Sequence, residues 1–124
     1  MRMILVMLAG GLGSGARYVV GQWSSGAVGT AFPYGTLIVN LVGCFILGAV
    51  VQLSSSGSWS PELRATIAVG FLGGFTTYSS FNQETLGMLN GGAGGMAGAY
   101  VLVTLVGGLA AGSLGLALAR MVQS

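Results

Sequence analysis

The sequence predicts an all-α membrane protein, one transmembrane domain over residues 1–124 with four transmembrane helices, the third broken near Gly73–Thr77. Three observations lead there. Only 5% of the residues are charged and 53% are hydrophobic, whereas a soluble domain carries about 25% charged residues, so this surface has too few charges to face water. Four segments are long enough and apolar enough for the roughly 20 helical residues that a bilayer core requires. The stretches between them, "SSGAVGTAF", "SSSGS" and "NGGAGG", are short and rich in Gly and Ser, as connectors are.

The first helix is expected over about 3–23. A basic start before an apolar run resembles a signal peptide, yet apolar character continues past Arg17 and no small-x-small cleavage site leads into a soluble region. The second, over 34–53, follows Pro33 and holds Asn40 as its only strongly polar interior residue. The third, over 61–90, starts well: Ser60 suits the N-cap, Pro61 the first helical position, and Glu62 the positive helix end. The fourth, over 96–120, closes on Arg120, which suits the negative terminus. Gly11 with Gly15 and Gly108 with Gly112 have the small-xxx-small spacing that lets helix backbones approach in lipid.

The third segment is the unusual one. "GFLGGFTTYSSF", residues 70–81, gathers hydroxyl and aromatic side chains around a Gly-Gly pair. Adjacent glycines have weak helix propensity, so the break is expected at Gly73 and Gly74. An unwound turn at membrane depth exposes carbonyls that lipid cannot satisfy, and it must be buried in protein or face an ion or water. Beyond it Thr77, Ser80, Phe81 and Glu84 share one helical face, and Tyr100 with Thr104 form an i, i+4 pair on the fourth helix. Hydroxyls and Asn40 supply neutral donors, while aromatic rings offer positively polarised edges. That combination suits a small anion, held without the tight trapping of a buried arginine, because conduction requires the ion to leave as well as enter.

Other classes are poorly supported. Arg2, Arg17, Arg64 and Arg120 against Glu62 and Glu84 give a net charge of +2, too dispersed for a nucleic-acid footprint. The lone Cys44 has no partner for an intrachain disulfide. No nucleophile with its base, phosphate loop or His/Cys metal cluster is present, so no enzyme activity is expected.

The chain closely resembles the Fluc, or CrcB, family of bacterial fluoride channels, through "GGLGSGARY" (10–18), "GTLIVNLVGCFILG" (35–48) and "GFLGGFTTYSSF" followed by Glu84, in that order. The resemblance implies a homodimer of four-helix subunits inserted antiparallel, with dual topology, in a bacterial cytoplasmic (inner) membrane. It implies two fluoride pathways at the subunit interface, a structural sodium ion (Na+) on the two-fold axis, and passive conduction that exports toxic fluoride. Carried over by motif, the sodium ligands are the backbone carbonyls of Gly73 and Thr76. The fluoride pathway takes Asn40, the aromatic pair Tyr78 and Phe81, and the hydroxyl residues Ser79, Ser80, Tyr100 and Thr104. The sequence departs from the family pattern twice: Tyr78 stands where phenylalanine is usual, and Gly108 where some relatives have serine.

Arg17 and Glu84 are vestibule residues by their depth. Arg17 is read as an electrostatic attractor or a structural anchor, and Glu84 as a mouth residue able to accept hydrogen bonds or a proton. Two alternative functions compete: a proton-coupled small multidrug transporter, which needs an acidic residue near the bilayer centre that this chain does not have, and a structural membrane subunit, which leaves the polar knot unexplained. With four spans, Arg2, Arg64 and Arg120 fall on one side and Arg17 nearer the other. The positive-inside rule then favours one orientation modestly, while the resemblance implies both.

Overall fold

A computed structural model describes all 124 residues, and every regular element in it is helical: α1 (Arg2–Val28), α2 (Tyr34–Ser54), α3 (Pro61–Arg64), a π-helical stretch (Ala65–Phe71), α4 (Leu72–Phe75), α5 (Tyr78–Asn90) and α6 (Gly94–Gln123). Three of these, α1, α2 and α6, are long and apolar enough to cross a membrane. The fourth expected span is α3, the π-helical stretch and α4 running on from one another, then a break, then α5.

Local signals set the boundaries. Ser60 caps α3 by accepting from the Leu63 N–H at 3.1 Å, with Pro61 in the first turn, as the sequence requires. The first helix runs five residues beyond its expected end at residue 23 because "SSGAV" continues it, the Ser25 hydroxyl donating back to the Gly21 carbonyl at 3.0 Å. It stops at Gly29, whose φ of 81° only glycine adopts readily.

Two pairs of helices carry the packing: α2 against α6, and α1 against the π-helical stretch and α4. Glycine makes both pairings close. A Cβ on Gly48 would collide with the Gly112 carbonyl, and one on Gly115 with that of Phe45. Likewise a Cβ on Gly13 would strike the Phe71 carbonyl, and one on Gly74 that of Gly10. The expected pair Gly108 and Gly112 does lie against Cys44. Gly11 and Gly15, by contrast, have nothing within 4 Å: they face outward, and the intrachain contact of α1 falls on its neighbouring face.

Only 15 of 124 residues are buried, and large apolar side chains such as Leu12, Leu109 and Val122 point away from the protein. An apolar exterior of this extent is stable against lipid or another apolar surface and not against water.

Candidate functional site

The third span breaks at Thr76 and Thr77, not at the glycines. Thr76 (φ −81°, ψ 158°) and Thr77 (φ −152°, ψ 117°) are extended, while Gly73 and Gly74 remain inside α4. Threonine supplies local alternatives to helical bonding. The Thr76 hydroxyl and amide both donate to the Leu72 carbonyl at 2.9 Å, closing α4, and the Thr77 hydroxyl oxygen accepts the Ser80 N–H at 3.2 Å, opening α5 as its N-cap. Gly74 is needed for another purpose, since α1 crosses directly over it.

Asn40 splices the gap. Its Oδ1 accepts the Thr77 N–H at 2.7 Å and its Nδ2 donates to the Thr77 carbonyl at 3.0 Å. Those two bonds satisfy both backbone polar groups of a residue that is 6% exposed, where leaving either unpaired costs about 1–3 kcal/mol. From α1, the Ser14 hydroxyl donates to the Gly74 carbonyl and Arg17 Nη1 to the Thr76 carbonyl, each at 3.5 Å. No hydrogen bond within the chain reaches the Gly73 carbonyl, because the amide that would have met it, that of Thr77, turns to Asn40.

Three cavities follow one another from this junction through shared lining residues. The largest of these three, about 500 Å³, brings together Asn40, Gly73, Thr76, Thr77, Tyr78, Phe81 and Thr104. A second, about 370 Å³, is lined by Ser14, Arg17, Thr36, Thr77 and Ser80 among others, and the two share Thr77. The third, about 240 Å³, shares Thr36 with the second and reaches Glu84. No carboxylate lines either of the first two. The Thr104 hydroxyl, buried at the first cavity, has no hydrogen-bond partner.

Hydroxyls and rings are arranged in series. The Thr77 hydroxyl donates to Ser80 Oγ at 3.0 Å and lies 3.4 Å from that of Ser79. Phe81 sits between Tyr78 and Tyr100, with ring centroids 5.7 Å and 5.2 Å away, tilted by 57° and 55°. Tyr78 is 77% exposed, so its ring stands on the outer face of the subunit. Tyr100 is fully buried, and its hydroxyl donates to Glu84 Oε2 at 2.6 Å, while the Thr36 hydroxyl donates to Glu84 Oε1 at 2.6 Å.

Asn40, Tyr78, Phe81 and Thr104 thus converge on one cavity, Arg17 and Ser80 on the next, and Glu84 on the third. Ser79 is exposed beside the junction, and Tyr100 touches the set through Glu84 and Phe81 instead of lining a cavity. Sequence reasoning gave Thr77 only a place on a shared face and passed over Thr36 and Ser14. Thr36 was findable, as it stands one turn before Asn40 on α2; the role of Ser14 depends on a partner 60 positions away.

Residues 4–116 match the family described as CrcB-like protein, Camphor Resistance (CrcB). The chain is 50% identical over 111 residues to a protein named fluoride-specific ion channel FluC from Anaeromyxobacter dehalogenans, covering 89% of this chain and 88% of that one. It is 47% identical over 114 residues to a FluC of Thermus thermophilus, covering 92% and 90%, and 44% identical over 117 residues to that of Agrobacterium fabrum, covering 94% of each. With nearly its whole length matched, and with "GTLIVNLVGCFILG" and "GFLGGFTTYSSF" supplying the residues that build the junction, this chain belongs to the CrcB family, the family of the FluC fluoride channels.

Proposed function

We propose that this protein is a passive fluoride channel that exports toxic fluoride across a bacterial inner membrane, working as an antiparallel, dual-topology homodimer with two pathways at the subunit interface. The observation that carries the reading is the junction itself: neutral donors from Asn40, Thr77, Ser80 and Thr104 and the rings of Tyr78 and Phe81 border two cavities that share Thr77 and that no carboxylate lines. A small desolvated anion meets donors there at every step, and none binds it too tightly to release it. Thr36 and Tyr100 support the same chemistry, since both hydroxyls point their donors at one acidic side chain, that of Glu84, at 2.6 Å. The relatives' name, fluoride-specific ion channel, points to fluoride among the anions. A second copy is supported by the exposure of Tyr78, Leu105 and Leu109, which line the cavity that holds Asn40 and Phe81.

A structural sodium ion fits the same junction. Its donors would be the carbonyls of Gly73 and Thr76, hard oxygen ligands of the kind such cations accept. The Gly73 carbonyl has no donor within the chain and Thr76 has one long one. Bound there, the ion would supply fixed positive charge that ties the broken helices of two subunits together.

The test is fluoride efflux from proteoliposomes, read with a fluoride electrode. Rapid efflux down the fluoride gradient, without a proton gradient, is expected, and Phe81→Ile should lower it by at least about tenfold while the dimer persists, because the ring edge is lost and apolar volume is kept. Drug-coupled proton movement in place of fluoride efflux would establish the transporter reading instead.

A further inference from the structure

The charge of Arg17 has no carboxylate to answer it. The one ion pair in the protein joins Arg2 to Glu62, and the acid nearest the junction, Glu84, is engaged by Thr36 and Tyr100. Arg17 lies about 22 Å along α1 from Arg2 at the helical rise, half-buried, and Nη1 meets the Thr76 carbonyl at 3.5 Å. That carbonyl ends the helix running from Pro61 to Phe75, at the negative end of its dipole. Ser14, one turn earlier on α1, holds the Gly74 carbonyl in the same way.

We propose that Arg17 is a positioning residue, which clamps the end of α4 and so fixes the extended Thr76–Thr77 pair, rather than a free charge that draws anions into the vestibule. Thr77 is the cap of α5 and the partner of Asn40, so the clamp reaches the donors of the pathway through one residue. For its flux arm the inference rests on the channel reading above; its structural arm stands apart from it.

The two roles separate in three variants of the full-length protein. Lysine keeps the charge but carries no planar fork and ends short of Nη1, and methionine removes both charge and donor. Clamping predicts a graded series, Arg above Lys above Met, in two readouts. Hydrogen exchange over residues 76–81 should quicken by about tenfold or more in Arg17→Met and by less in Arg17→Lys. Maximal fluoride flux in proteoliposomes should fall in the same order, with the half-saturating fluoride concentration unchanged and no rescue by salt. An attractor predicts Arg17→Lys equal to the parent, exchange unaltered in Arg17→Met, and a raised half-saturating concentration whose difference from the parent disappears at high ionic strength; that result overturns the proposal. Should Arg17→Met not fold, the lysine variant decides alone, since clamping requires it to differ from the parent in exchange and maximal flux. A parent protein that conducts no fluoride would sink the channel reading while the exchange series still judges the clamp.

Discussion

Asn40 and Thr77 illustrate at the scale of single residues how a polar group can be legible while its duty is not. The sequence singles out Asn40 as the one strongly polar side chain inside an apolar helix, and its amide was expected to offer donors to an anion. Its two bonds to the Thr77 backbone add a prior task, replacing helical hydrogen bonds that the break removes. The two tasks are compatible, because an amide nitrogen carries two hydrogens and one suffices for the Thr77 carbonyl. Asn40→Asp keeps the acceptor for the Thr77 N–H and sets a carboxylate oxygen against the Thr77 carbonyl. We expect a loss of about 1–3 kcal/mol in stability, seen as a lower unfolding midpoint in detergent, together with loss of most fluoride flux. An unchanged midpoint would remove Asn40 from the splice.

Among the elements, the third span separates what composition reveals from what tertiary contact decides. Interruption near residues 73–77 was legible, because hydroxyl and aromatic residues cluster where lipid should touch apolar ones. Its placement at Gly73–Gly74 was not correct, since a glycine marks either a permissive backbone or a close approach, and only the helix facing it decides which. Here α1 faces it at Gly10, so Gly74 stays helical and the threonines, with their own bonding alternatives, open the chain. The same ambiguity holds on α1, where the intrachain contact falls on Gly10 and Gly13 and leaves Gly11 and Gly15 on the outer face. Gly13→Ala drives a methyl into the Phe71 carbonyl, 2.9 Å from the Phe75 amide nitrogen, and is expected to cost about 1–3 kcal/mol or more. Gly11→Ala meets nothing and gains helix propensity, up to about 1 kcal/mol. Unfolding midpoints of the two variants check this, and equal destabilisation by both would contradict the packing of α1.

For the whole molecule, the all-helical plan with three long apolar helices, the polar junction and the family follow from composition and motif, whereas partner and orientation depend on contacts beyond one chain. Three arginines on one side against one on the other weakly favour a single orientation, while an antiparallel pair would bring both broken helices to one membrane depth. The apolar exterior, with Tyr78 turned out at 77% exposure, suits lipid or another apolar surface around the junction. The central claim, that this junction passes fluoride passively, is tested most directly by the reversal potential of the purified protein in a planar bilayer, with a fluoride gradient across equal chloride and equal pH. The account predicts a current that reverses at the fluoride equilibrium potential and stays there when the chloride or proton gradient is changed. A protein that carries no current, or whose reversal follows chloride or protons, would contradict it.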